Sequence, residues 1–428
     1  MARASSALFL LVTFGAVAVS AGNWHHPRGH PVHDLFKRQN STGGYPVVGS
    51  AAWTAAYPSN INTTTVPAAW MTAYTNAKNA GLIPDLAPTT MVNGNPTYAA
   101  GIDPMSATVC SSTDQCRING TTTQIWDAPD GMVGVAFDDG PLPPSTILYP
   151  FLKQNNQPAT HFFIGENIWQ NPTIFQECLD DPLQDIAVHT WTHPYMTTQT
   201  DEQLLLELGL TIQIIHDSTG GRVPKFWRPP YGDSDVRVVA IAYYVFNLIT
   251  VIWNQDSNDW QIGDTTDATG VYTDASVTAN LTNWLTGPKS PGLIILEHEL
   301  SNDTVNCFIN TYPLHASNGW ISKSIPDVLN QPWYLNSQNN TSPMVALDVA
   351  ATPPSAVPAP PAPPSPSPAP APPSTTAAGS SGAQVSAGVS GVAKSSSNNS
   401  TANGAGSIAA ISTATLLGAA LCSLVFWY

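Results

Sequence analysis

From residue 131 to about residue 334 the chain alternates between two rhythms. Short apolar runs at Val133-Gly134-Val135-Ala136-Phe137 and at residues 159–164, 185–188, 225–227, 248–253 and 292–296 read as buried strands. Between them, apolar side chains recur at helical spacing. Leu204, Leu205, Leu208, Ile212 and Ile215 line one face of a helix expected over 200–218. Further helices are expected over 235–244 and 275–285. Repeated strand–helix units imply an α/β fold, with a parallel sheet or barrel covered by helices.

The polar residues keep a fixed place in this pattern. Asp138-Asp139 follow the first strand, His189 the third, Arg228 the next, Asp256 the 248–253 strand and His298 the last. In such folds the carboxyl ends of the strands share one mouth. Solvated polar residues scattered by chance would not respect strand ends so regularly. His189 and His193 are four apart, and a carboxylate from another segment completes a three-ligand set that leaves a fourth position for water. One aspartate of the Asp138-Asp139 pair then remains free to act as a base. Chemistry alone allows either one to be the ligand. Together these features point to metal-assisted hydrolysis.

The ends of the chain bound where such chemistry works. Residues 1–21 read as a secretory signal, with Arg3, an apolar run and a small-residue cleavage site. Residues 22–38 carry four histidines and end in Lys37-Arg38, as expected of a pro-segment. Nine Asn-x-Ser/Thr sequons, at Asn40, Asn62, Asn119, Asn280, Asn302, Asn339, Asn340, Asn398 and Asn399, fit a glycosylated export product. Residues 346–400 form a Pro/Ser/Ala-rich linker. The uncharged apolar tail within 401–428 reads as a GPI-anchor signal, with attachment expected near Asn399. That places the protein outside the cell, tethered to the plasma membrane. Cys422 lies in this tail, leaving Cys110, Cys116, Cys178 and Cys307 for an oxidising compartment. The short loop favours a Cys110–Cys116 bridge, and elimination then pairs Cys178 with Cys307. A net charge of −15, with 14 basic and 29 acidic residues, argues against nucleic acid as a partner. A monomer is expected.

Five motifs in order carry a resemblance to a known family. They are Phe137-Asp138-Asp139-Gly140, His189-Thr190-Trp191-Thr192-His193, Arg228-Pro229-Pro230-Tyr231-Gly232, Asp256-Ser257-Asn258-Asp259-Trp260 and Leu296-Glu297-His298. The chain resembles the polysaccharide deacetylases of carbohydrate esterase family 4, which share the NodB homology domain, and among them the fungal chitin deacetylases. The resemblance implies a distorted (β/α) barrel over residues 131–345, with residues 39–130 as an irregular N-terminal wrap. It also implies removal of N-acetyl groups from a chitin or chitosan polymer.

On that resemblance Asp139, His189 and His193 hold a divalent metal. A His/His/Asp set suits zinc, and cobalt or nickel is compatible with it. Asp138 is the general base, oriented by Arg228. The Tyr231 N–H belongs to the oxyanion hole. His298 is the general acid, tuned by Asp256, and Trp260 and Leu296 wall the acetyl pocket. The same machinery would serve an O-acetyl xylan esterase or a deacetylase preferring glucosamine-rich polymer. A non-catalytic wall mannoprotein would need neither acid nor base. His161 and Glu297 are expected to be structural, and Trp53, Trp70 and Trp126 to anchor the wrap.

Overall fold

A computed structural model describes residues 44–118, 123–263 and 272–352. The expectations for the signal, the pro-segment, Asn40, Asn119, most of the linker, Asn398, Asn399 and the tail lie outside these residues. The strands are β1 (Thr90–Val92), β2 (Asn95–Thr97), β3 (Gln124–Ile125), β4 (Met132–Gly134), β5 (Ala136–Asp138) and β6 (Ala159–Phe163). They continue with β7 (Gln184–Val188), β8 (Phe226–Trp227), β9 (Ile249–Val251), β10 (Gln255–Asp256), β11 (Leu293–Leu296) and β12 (Ile321–Lys323). The main helices are α1 (Ala68–Asn79), α2 (Ser145–Asn155), α3 (Gly165–Gln170), α4 (Pro172–Leu179), α5 (Asp201–Ser218), α6 (Val236–Phe246), α7 (Asp274–Leu285) and α8 (Asn302–Thr311).

Apart from the β1–β2 hairpin, the strands form two parallel sheets. One has the order β3-β9-β8-β7-β6-β5 and the other β10-β11-β4-β12. The run at 133–137, expected as one strand, is divided between them. At Val135 the N–H donates to Lys323 and the carbonyl accepts from Thr160, so the chain changes partners without a turn. That exchange joins the sheets into one curled, distorted half-barrel. A small inner core of Ala136, Phe162, Ala187, Phe226, Val251 and Ile294 fills its lumen. β6 and β7 are buried along their whole length, so they do not alternate apolar with solvated residues, and their polar side chains such as Thr160, His161 and Asp185 are hydrogen-bonded inside.

Helix boundaries follow side-chain chemistry. Thr200 and Gln203 form a capping box at the start of α5, and the Asp235 carboxylate accepts the first free N–H groups of α6. The wrap packs outside these helices through buried indoles. Trp70 of α1 lies against Gly209 of α5, where a β-carbon would come within 2.4 Å of the ring. Trp53, Trp70 and Trp126 are all buried, as expected of anchors.

Cys110 and Cys116 form the disulfide. Cys178 and Cys307 do not pair, contrary to the expectation by elimination. Both are buried free thiols on different helices, Cys178 facing His161 and Cys307 facing Thr278 and Asp274 of α7. Among the sequons, Asn62 and Asn302 are exposed, while Asn280 and Asn339 are half-buried. Asn340 departs from the expectation. Its amide nitrogen, the atom a glycan would occupy, donates to the carbonyl of Gln184 at 2.7 Å.

Candidate active site

The strand ends converge on a cleft of about 730 Å³. Asp138, Asp139, His189, His193, Asp256 and His298 all line it, as do Tyr231, Trp260 and Leu296. Asp138 ends β5, and its backbone bonds to Glu297 and Glu299 beyond β11, which sets Asp138 beside His298. The site residues thus meet because two strand ends are locked in register.

Asp139, His189 and His193 bring one donor atom each to within 4.8 Å of one another. His189 Nε2 lies 3.4 Å and His193 Nε2 3.3 Å from Asp139 Oδ1. Two observations show that this trio fits a divalent cation. Asp139 Oδ1 is buried without a hydrogen-bond partner, which is unfavourable for a carboxylate oxygen unless a cation satisfies it. His189 Nδ1 lies 2.8 Å from the Arg228 carbonyl, an acceptor only, so this nitrogen holds the proton and Nε2 keeps its lone pair free.

The backbone here is unusual. Asp139, Thr190, His193 and Tyr231 have φ of 75°, 67°, 61° and 58°, the left-handed region that non-glycine residues avoid at roughly 1–2 kcal/mol each. Such conformations concentrate where side chains must be aimed against local preference. Gly140 is needed for a different reason: a β-carbon there would stand 2.3 Å from the Glu299 carboxyl carbon.

Asp138 is fully buried beside Arg228, which donates to Asp138 Oδ1 at 2.6 Å. The guanidinium is itself fully buried and lies 4.3 Å over the Phe162 ring. Burial lowers the Arg228 pKa, and Asp138 acts against that shift.

His298 differs from expectation in its partner. Its Nδ1 is 2.6 Å from Asp259 Oδ1, and its N–H donates to Asp259 Oδ2 at 2.9 Å. Asp256, expected as the partner, instead accepts from the N–H of Asn258 and caps the turn. The turn decides this. Asn258 has φ of 56°, and Ser257 bonds to the Leu296 carbonyl, so the chain reverses and aims Asp259 at the histidine. Burial alone would lower the His298 pKa. Asp259, helped by Asp139 and Asp138, reverses that and raises it to about 10.

The wrap supplies the opposite wall of the cleft with Asn95, Tyr98, Ile102 and Thr113. It is zipped to the segment after Tyr231. Ser112 Oγ donates to the Gly232 carbonyl at 2.8 Å, and Tyr98 donates to Asp235 at 3.2 Å. Trp260 and Tyr231 are about half exposed at the rim, and Tyr231 stacks on Tyr195 at 4.1 Å. Asp259, Tyr195 and the wrap wall were not singled out from the sequence. The D-x-x-D spacing in the fourth motif was the available signal for Asp259.

Residues 127–245 match the family described as polysaccharide deacetylase. The chain is 40% identical over 349 residues to chitin deacetylase 3 of Cryptococcus neoformans var. neoformans serotype D, covering 80% of this chain and 81% of that one. It is 34% identical over 221 residues to a chitin deacetylase of Amylomyces rouxii, covering half of each. The solved chitin deacetylase of Colletotrichum lindemuthianum aligns with a TM-score of 0.45 at 22% identity, covering 50% of this chain and 95% of that one. Shared sequence across four-fifths of its length, together with five motifs around one cleft, makes this chain a member of the polysaccharide deacetylase family.

Proposed function

We propose that the protein is a metal-dependent chitin deacetylase, converting N-acetylglucosamine units of chitin to glucosamine with release of acetate. The observation that carries this reading is the meeting, in one cleft, of a base-type pair (Asp138–Arg228), an acid-type pair (His298–Asp259) and the His/His/Asp trio. A binding module requires none of these pairs. The names of the relatives support the choice of substrate.

A divalent ion on Asp139, His189 and His193 would polarise the acetyl carbonyl and lower the pKa of water at that site. Asp138, held in place by Arg228, takes the proton from the attacking water. The Tyr231 N–H donates to the developing oxyanion. His298, with Nδ1 committed to Asp259, delivers a proton from Nε2 to the departing amine. Trp260 and Leu296 enclose the acetyl methyl. Zinc is the proposed ion, because imidazole and carboxylate suit it. The signal-like start, the sequons and the small-residue tail support secretion and a lipid-anchored place at the fungal cell surface. Acetate release from N-acetylglucosamine oligomers, with and without chelator, tests this reading. No release from any oligomer by zinc-loaded protein would overturn it.

A further inference from the structure

Within the His189–His193 loop the His193 N–H donates to Thr190 Oγ1 at 3.1 Å, but most of the bonds that hold the two ligand loops come from elsewhere in the chain. Each adopts left-handed backbone at non-glycine residues, and each is clamped by a residue outside the five motifs. Glu207, in the middle of α5, is 3% exposed and accepts from the N–H groups of Trp191 and Thr192, both at 2.8 Å. Its second oxygen accepts from the Thr192 hydroxyl. The carbonyls of Thr190 and Trp191 accept from the N–H groups of Gly165 and Glu166, at 2.8 and 3.0 Å. The stretch between His189 and His193 is thus pinned from both sides. On the other loop, Asn167 Nδ2 donates to the carbonyl of Asp139 itself at 2.7 Å. The Gly140 carbonyl accepts from Ile164 at 3.1 Å.

A carboxylate as buried as Glu207 would be unfavourable if it served packing alone, since an apolar side chain of similar size would fill the space without desolvation. All three hydrogen bonds it accepts come from the ligand loop. Asn167 reaches the ligand segment through its amide, which Leu or Met could not do.

We infer that Glu207 and Asn167 are positioning residues for the metal. They touch none of the three donor atoms, and act by holding Asp139, His189 and His193 in the backbone conformation that converges those donors before an ion arrives. The inference rests on the metal-dependent reading above. Outer residues that orient ligands are worth about 10–100-fold in metal affinity.

Zinc affinity of the purified full-length protein, measured by competition with a chromophoric chelator, tests it. Glu207→Gln keeps the size of the side chain but turns one acceptor into a donor, and Asn167→Ala removes the Asp139 clamp. Each is expected to weaken zinc binding by about 10-fold or more. Each should also alter the visible absorption of the cobalt-loaded form, since the donors no longer converge in one geometry. Thr192→Val removes one hydroxyl bond to Glu207, and is expected to weaken binding in the same direction by less. Should Glu207→Gln fail to fold, Asn167→Ala and Thr192→Val decide the matter. Affinities within twofold of wild type and an unchanged cobalt spectrum in the folded variants would overturn the assignment. Wild-type protein that binds no zinc would overturn the metal reading itself.

Discussion

Two histidine–carboxylate pairs sit back to back in this molecule. His298 and Asp259 are 2.6 Å apart, and His161 and Glu299 are 2.8 Å apart. His298 and Glu299 are neighbours in the chain, yet one faces the cleft and the other the interior. His298 is 8% exposed and lines the cleft beside Asp138, whereas His161 and Glu299 are both completely buried. His161 is also satisfied on its other nitrogen by Gln184 at 3.2 Å. For His161, burial lowers the pKa, but Cys178 and Glu299 beside the ring reverse it and hold the value well above the usual one. Each imidazole thus has a carboxylate partner that favours its charged form, with Cys178 adding to the effect at His161. Access separates them: only the pair at a strand end can hand a proton to a substrate.

The comparison can be broken most directly at the histidines. His298→Ala is expected to lower kcat per folded molecule by on the order of 10²–10⁴-fold, and to lose stability as well because it strands the buried Asp259. Acetate release and an unfolding curve on the same sample measure both. Near-normal turnover would remove His298 as the acid. Asp138→Asn is expected to lose activity on the same scale while retaining zinc.

The next effect separates the two aspartates of the fourth motif. Asp259→Asn is expected to cost on the order of 10²-fold in kcat, because it withdraws the charge that orients and charges His298. Asp256→Asn should stay within about a factor of two, as for a substitution that disturbs only a local turn. The reverse ranking in steady-state kinetics would restore Asp256 as the partner.

For the interior pair, stability rather than turnover should suffer. His161→Leu strands the Glu299 carboxylate, and breaking a buried pair costs about 3–5 kcal/mol. Chemical denaturation should register that loss while kcat per folded molecule falls far less than in the His298 variant. Glu299→Leu added to His161→Leu should recover part of the stability. A variant as stable as wild type would show that the pair contributes nothing to the fold.

The smallest expected effect concerns pH. His298 in the metal-free protein has its pKa raised from 6.5 to about 10. A raised folded pKa means the folded state binds the extra proton more tightly. The resulting stability is fully present below about pH 6.5 and is lost as pH rises through about 10. Melting temperatures of chelator-treated protein across that window should fall for wild type, and fall less for Asp259→Asn. Parallel curves would uncouple Asp259 from His298.

Much of the site was readable because strand ends recur in sequence. Asp138, Asp139, His189, Arg228 and His298 each follow an apolar run, so the parallel pattern assigned them to one mouth before any contact was known. Val133–Phe137 was read as one strand because periodicity cannot reveal where a strand changes partners. Asp259 was passed over for Asp256 because two carboxylates three apart look equivalent until a left-handed Asn258 turns one of them inward. Glu207 carried a readable signal, a charge set on the apolar stripe of Leu204, Leu208 and Ile215. Nothing in spacing says which loop such a charge serves. The cysteine count left Cys178 and Cys307 to be paired by arithmetic, whereas helix packing points their thiols at different neighbours.

The sequence by itself determined the kinds of chemistry present and the end of the barrel where they gather, because side-chain identity and strand periodicity are local properties. Tertiary structure decided which carboxylate serves His298, which histidine pair opens to the cleft and what holds the ligand loops in their strained backbone. These depend on turns, on register between distant strands and on contacts such as Glu207 to Thr192, fifteen residues apart in the chain. Such contacts exist only once the helices have packed against the sheet.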